Sequence, residues 1–440
     1  MPGDTSLGDS FGDAQGDGPS GDGARPGRRA LVLVENLSVP FDRRVWQECT
    51  TLRDAGWTVD VICPRGTKRD TEAEAVVDGV RIHRYPLRAA TGGPAGYVRE
   101  YGAALWHTLR LARKVGPVDV VHACNPPDLL FLPALWLKRH GARFVFDQHD
   151  LVPELYLSRF RRGEDLLYRA VCALERRTYR AADVVIATNE SYRDVAVRRG
   201  GMAPEDVFVV RSAPDTDRFR PVPPEPELKR GKPHLLCYLG VMGPQDGVDY
   251  ALRALAELRA VRTDWHAVFV GAGDTFDEMV ELSRRLGLAD QVEFTGRIPD
   301  EDLVRYLSTA DVCLSPDPHN PLNDVSTMNK VLEYMVMGRP MVSFELKEAR
   351  VSAGEAALYA PANDEAEFAK LVALLLDDPE QRARRGEIGR ERVGGPLSWR
   401  NSQAALLAAY AAACAKDDEN SKSKNSKNSK NSKAARRSRR

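Results

Sequence analysis

The amino-acid sequence predicts an α/β protein of two doubly wound halves, each a parallel sheet with helices on both faces. Three observations predict it. Strand-like apolar runs alternate with stretches of helical periodicity in two successive series, which implies parallel sheets covered on both sides. A proline-rich break, Pro221-Val-Pro-Pro-Glu-Pro226, divides the series. The length of 440 residues exceeds what one hydrophobic core usually encloses.

Residues 1–28 are mainly Gly, Asp, Ser and Pro. Such a segment cannot bury enough apolar surface to offset its ordering entropy and is expected to be disordered. The first half spans 29–220, with strands expected at Ala30–Val34, Thr58–Cys63, Val80–Tyr85, Val118–His122, Arg143–Asp147, Val184–Thr188 and Val207–Arg211. Helical periodicity marks Arg44–Ala55, Val98–Lys114 and Leu166–Arg180. Residues 221–232 read as the linker, since proline breaks helix and ladder alike. The second half, 233–396, carries expected strands at Leu235–Leu239, His266–Val270, Val292–Thr295, Val312–Ser315 and Pro340–Phe344. Its helices are expected at Tyr250–Ala260, Phe276–Leu286 and Lys330–Met337. A helix follows over 397–415, and 416–440 is a basic tail of Ser-Lys-Asn repeats, expected to be disordered.

Lys plus Arg and Asp plus Glu both number 63, so the formal net charge is zero and no global field favours nucleic acid. Seven cysteines, without a Cys-x-x-Cys pair, are expected to be reduced structural thiols rather than disulfides or zinc ligands. The acidic N-terminus lacks the apolar core of a signal peptide, and no apolar run reaches the roughly 18 residues of a membrane span. A cytoplasmic location is expected.

Ligands of open α/β sheets bind beyond the carboxyl ends of the strands, so the chemistry is sought there. After Leu235–Leu239 comes Gly240-Val-Met-Gly243-Pro-Gln-Asp246-Gly247 and then a helix. Its glycines and the free N–H groups of a helix start suit a phosphate, and equally suit a plain tight turn. Gly271-Ala-Gly273 after the next strand carries the same two readings. The stretch Asn320-Pro-Leu-Asn-Asp324-Val-Ser326-Thr-Met-Asn-Lys330-Val-Leu-Glu333 places Lys330 and Glu333 on one helical face. A lysine can neutralise a diphosphate and a glutamate can accept from two ribose hydroxyls; a solvated surface pair is the blander alternative. In the first half, Asp147-Gln-His149-Asp150 follows a strand. An imidazole and a carboxylate there can position sugar hydroxyls or exchange a proton, or simply cap the next helix. His122 and Asn125, at another strand end, read as structural.

Asp42-Arg43-Arg44 opens the first helix, with Asp42 as its expected cap and the arginines able to meet an anionic acceptor or solvent. Arginines 159, 161, 162, 169, 176, 177 and 180 crowd an amphipathic segment. It reads either as a solvated basic face or as a surface for anionic membrane, to which the basic tail would add attraction. The inner face of the plasma membrane is the surface this second reading implies.

At the Asn320–Pro340 stretch the chain resembles glycosyltransferase family 4. That family has two glutamates eight apart, followed by a Gly-x-Pro turn; Glu333 and Gly338-Arg339-Pro340 match, while Val325 stands at the first glutamate. Asp324 or Ser326 is the nearest polar substitute. The family often carries an Arg and a Lys after the first strand of its second domain, where this chain has Met242 and Asp246; Lys330 is the candidate replacement charge. The segments Val292–Pro299, Ala310–Pro316 and Val209–Asp215 with Phe219 are also similar, over roughly 30–415.

The resemblance implies the GT-B fold, with the donor nucleotide in the second domain, the acceptor in the first, and the last helix crossing back to the first. It implies a retaining sugar transfer from a UDP- or GDP-sugar to a glycan, lipid-linked or small-molecule acceptor, in polysaccharide or cell-envelope glycan synthesis. No bound metal and no cofactor beyond the nucleotide-sugar co-substrate is expected. His149 matches the family's strand-end histidine near the donor sugar. The implied donor residues are Gly240, Gly243, Asp246, Gly271, Asp324, Ser326, Lys330 and Glu333, with Arg43 and Arg44 on the acceptor side. Two other functions suit the same architecture: a nucleotide-sugar epimerase, and a catalytically silent nucleotide-sugar or glycan-binding protein.

Overall fold

The computed structural model describes residues 27–66, 70–87, 93–160, 163–214, 216 and 218–416. The Gly/Asp-rich start through residue 26, the basic end from 417, and Arg161, Arg162 and Asp215 lie outside the described residues.

The first half holds an eight-stranded sheet: β1 (Arg29–Leu33), β2 (Thr58–Pro64), β3 (Glu74–Val77), β4 (Val80–Tyr85), β5 (Val120–Cys124), β6 (Arg143–Gln148), β7 (Val184–Ala187) and β8 (Val207–Val209). Their spatial order is β3-β4-β2-β1-β5-β6-β7-β8, parallel except for β3. β1, β5 and β7 are apolar along nearly their whole length because helices cover both faces. β3 is an edge hairpin strand that the apolar pattern did not mark, since its residues alternate between exposed and half-buried. The signal for it was the Asp78-Gly79 pair: both residues have positive φ, 44° and 80°, as a two-residue type I′ turn requires.

The second half holds β9 (His234–Leu239), β10 (Trp265–Val270), β11 (Val292–Gly296), β12 (Val312–Ser315), β13 (Met341–Phe344) and β14 (Ala357–Ala360). They lie in the order β11-β10-β9-β12-β13-β14, all parallel. β14 escaped the sequence reading because its Ala-Leu-Tyr-Ala run has no β-branched residue and reads equally well as helix. In each sheet the winding direction reverses once, between β1 and β5 and between β9 and β12. The carboxyl ends at such reversals open a natural ligand crevice.

A helix over 399–416 returns to the first half. Its Leu406, Ala409, Tyr410 and Ala413 join the apolar layer of Val32, Val45, Val61 and Val120. Trp399 Nε1 donates to Thr51 Oγ1 at 3.1 Å and Ser402 Oγ to the Arg211 carbonyl at 2.8 Å. The seven cysteines are all free and mostly buried. No described helix is long and apolar enough to cross a membrane.

Candidate active site in the crevice between the halves

The wall of the second half is built at the β9–β12 reversal. Gly240 leaves β9 with φ 157°, and a side chain on Gly271 would fall 1.8 Å from the Gly240 carbonyl oxygen. These two glycines therefore let the turns after β9 and β10 touch backbone to backbone. Gly243 donates its N–H to Asp246 Oδ2 at 2.8 Å, so Asp246 closes its own turn instead of facing outward. Burial pushes the Asp246 carboxyl up to about 6, Asp317 adding to the push and Lys330 opposing it.

Lys330 lies beneath this turn. Its side chain is only 8% exposed, and Nζ donates to the buried Asp317 Oδ1 at 2.6 Å, 5.1 Å from the centre of the Tyr238 ring. The expected face shared by Lys330 and Glu333 thus divides: the lysine turns under the glycine loop, the glutamate toward the first half. Asp324 and Ser326 are also engaged elsewhere. Asp324 Oδ1 accepts from Lys347 N at 2.9 Å, and Ser326 Oγ donates to the Leu322 carbonyl at 2.7 Å and meets Tyr192 OH at 2.9 Å.

Glu333, on the helix Asn329–Val336, accepts at Oε1 from Arg43 Nη1 across the crevice at 3.0 Å. Burial pushes the Glu333 carboxyl up to about 7, against the pull of Arg43. Arg43 opens the helix Arg43–Asp54, capped as expected by Asp42, whose Oδ1 accepts from Val45 N at 3.2 Å. Around the pair lies a cavity of about 60 Å³ lined by Arg43, Arg44, Gln47, Ser212–Pro214, Asn329, Leu332 and Glu333. A groove of about 260 Å³ continues from it past Phe41, Trp46, Arg218 and Asp300. Sequence reasoning noted Val209–Asp215 as a family-like segment but not that Ser212–Pro214 walls this cavity, which no local spacing announces.

The first half contributes a buried charge cluster at the ends of β5 and β6. Arg44 Nη2 lies 2.9 Å from Asp147 Oδ1 and 3.1 Å from Glu48 Oε1, and Nη1 donates to the Val210 carbonyl at 2.8 Å. Arg44 thus lines the crevice but its guanidinium is turned inward, away from any acceptor. His149 Nε2 is 2.5 Å from Asp147 Oδ2. His122 Nε2 is 3.4 Å from the same oxygen, and its Nδ1 is 3.0 Å from Tyr410 OH of the returning helix. Burial favours a protonated Asp147, but Arg44 and His149 hold its carboxyl well below the usual range. Burial would lower His149; Asp147 outweighs it and holds the imidazole above its ordinary value. Burial raises Asp150, with His149 opposing. Asn125 shapes this corner: its Oδ1 accepts from His149 N at 2.7 Å and Asp150 N at 3.1 Å.

Glu48, Cys124, Asp147 and His149 bring possible metal-ligand atoms within 4.8 Å of one another. The Arg44 guanidinium already bridges both carboxylates, and burial pushes the Cys124 thiol well up. The donor set is that of an internal ion-pair cluster rather than a cation cage.

The loop at the sequence's missing glutamate also ties the halves together. Leu322 is buried in the first half's core, with Val325 packed against it. Asn189 Nδ2 donates to the Val325 carbonyl at 2.9 Å and to Thr327 Oγ1 at 3.0 Å. Ser191 Oγ donates to Glu348 Oε1 at 2.6 Å, and Arg159 pairs with Asp274.

Residues 42–213 match the family described as glycosyl transferase 4-like domain, and 233–378 match glycosyl transferases group 1. A glycogen synthase of Mycobacterium tuberculosis is 26% identical over 398 residues, covering 84% of this chain and 90% of its own. A 2-deoxystreptamine glucosyltransferase of Streptomyces kanamyceticus is 27% identical, covering 77% and 89%. Among solved structures, sucrose-phosphate synthase of Thermosynechococcus elongatus superposes with a TM-score of 0.68 at 20% identity, covering 87% and 98%. HepE of Anabaena in complex with UDP-glucose gives 0.63 at 14%, covering 86% and 98%. The two halves, their facing crevice and these matches identify the chain as a member of glycosyltransferase family 4 with the GT-B fold.

Proposed function

We propose that the chain transfers a sugar, with retention and without a bound metal, from a UDP- or GDP-sugar to a glycan, lipid-linked or small-molecule acceptor in polysaccharide or envelope glycan synthesis. The observation that carries this reading is Glu333 on the crevice wall, in a cavity closed by the first half. Its carboxylate suits a ribose diol. The Gly240, Met242 and Gly243 N–H groups are bonded within the turns, so the Val241 N–H would face the diphosphate, where a fixed dipole stabilises charge that develops as the leaving group departs. His149, tied at Nε2 by Asp147, would orient the donor sugar with Asp150 beside it. The contacts between the halves would keep water from the donor.

Mass spectrometry of products formed from a panel of UDP- and GDP-sugars, with and without chelator, tests the reaction. Retained transfer with chelator present is expected; donor binding without any transfer would favour a silent binding protein, to which the valine at position 325 gives some weight. A nucleoside diphosphate should raise the melting temperature, and Glu333→Ala should remove most of that rise. An unchanged rise in the variant refutes the ribose contact.

We also propose that one face of the first half meets an anionic membrane. Leu166 is 82% and Leu167 44% exposed at the start of the helix Leu166–Ala181, with Arg169, Arg176, Arg177 and Arg180 exposed along it. Apolar insertion beside arginines suits anionic lipid. Co-sedimentation with anionic vesicles should fall several-fold in the Leu166→Ser, Leu167→Ser double variant; equal binding to neutral vesicles contradicts the reading.

A further inference from the structure

Departure of a nucleoside diphosphate needs a cation near the phosphates, and the second half's own candidate is already occupied. Lys330 Nζ is bonded to Asp317, which is itself buried. After β9, where the family often carries an Arg and a Lys, this chain has the buried Met242 and Asp246, whose carboxylate is bound to Gly243 N. Of the two arginines lining the cavity from the first half, Arg44 serves Asp147, Glu48 and the Val210 carbonyl. Arg43 differs. Its side chain is 45% exposed, its ion pair is with Glu333 alone among the described residues, and it sits in the first turn of a 12-residue helix, where the helix dipole already favours an anion.

We propose that Arg43 neutralises the departing diphosphate, and that the arriving ribose hands it over from Glu333. The proposal rests on the reading of Glu333 as the ribose acceptor. A ribose diol engages both oxygens of a carboxylate, and one of the two now accepts from Arg43. On this proposal the diol competes with Arg43 for that oxygen and frees the guanidinium, which has five donors and a fork that fits phosphate oxygens. It is released beside the place where the phosphates lie. In the transfer, the bond from the anomeric carbon to the phosphate oxygen breaks and its electron pair stays on that oxygen. The acceptor hydroxyl oxygen forms the new bond to the anomeric carbon, and its proton passes to the departing phosphate. Arg43 balances the charge in between. The Arg43–Glu333 pair of the free enzyme is on this account a placeholder for the ligand.

Isothermal titration of the wild type, Arg43→Gln, Arg43→Lys and Glu333→Gln with UDP, GDP and the matching nucleosides tests the assignment. Arg43→Gln should weaken the diphosphate about 10- to 100-fold, the range of a lost charge-assisted hydrogen bond. It should also flatten the salt dependence and leave the nucleoside unchanged or tighter, because Glu333 is then untied. Arg43→Lys, which keeps the charge and loses the fork, should fall between, and settles the matter if the glutamine variant folds poorly. Glu333→Gln should weaken nucleoside and diphosphate alike. Diphosphate binding by Arg43→Gln as tight as wild type, or tighter, overturns the assignment and leaves Arg43 a clasp between the halves. A wild type that binds neither nucleosides nor diphosphates rejects the nucleotide site itself, and the role of Arg43 with it.

Discussion

At the scale of single residues, the site depends on ion pairs that stop short of the crevice as much as on those that line it. Asp147 is fully buried and gathers Arg44, His122 and His149 around one carboxylate. Glu48, Asp42, Cys124, Asp150 and Tyr410 are further ionisable groups close to this cluster. Because Asp147 holds the His149 pKa above its ordinary value, the protonated imidazole contributes stability that is complete below the ordinary value. That contribution is lost as pH rises through the raised one. Asp147→Asn should lower the His149 titration midpoint observed by NMR, slow transfer more than it raises KM, and remove that pH-dependent stability. An unmoved midpoint would show that Asp147 does not control the imidazole.

The candidate residues were legible in the sequence by type and position, but their partners were not. Arg43 meets Glu333 across 290 positions of chain, and Lys330 meets Asp317 across a loop whose path no helical spacing encodes. Asp147 stood in the quoted Asp147–Asp150 stretch without a role of its own, and its importance follows from what converges on it. His149 and Glu333 could be found because strand ends and helix faces are local features.

At the scale of elements, the loop between β12 and the helix Asn329–Val336 has changed its allegiance. Where the family resemblance leads one to expect a donor-sugar acid, Val325 packs against the first half's core and its carbonyl is held by Asn189. Asp324 Oδ1 accepts from Lys347 N, and Ser326 Oγ bonds the Leu322 carbonyl and Tyr192 OH, so each polar neighbour of Val325 already has a protein partner. Val325→Glu would place a charge against that core and leave it poorly solvated. The variant should lose about 1–3 kcal/mol of stability, measured by denaturant unfolding, without gain in transfer rate. Faster transfer would mean that the acid can still reach the donor. The alternation of strands and helices was readable because both sheets are buried on two faces; β3, at a sheet edge, lacks an apolar run, and β14, at another, is an alanine-rich run with no β-branched residue.

At the scale of the whole molecule, the halves are joined by contacts of different character. The returning helix and the Leu322 loop bury apolar side chains in the first half. Arg43–Glu333 is a polar contact in the cavity itself, partly exposed and therefore readily exchanged for a ligand. The fold thus keeps a permanent seam and, within the cavity, a replaceable bond. A crystal structure with a bound nucleoside diphosphate tests this most directly. The account predicts the ribose hydroxyls on Glu333 and the Arg43 guanidinium moved onto the phosphates; a nucleotide bound with the Arg43–Glu333 pair intact would contradict it.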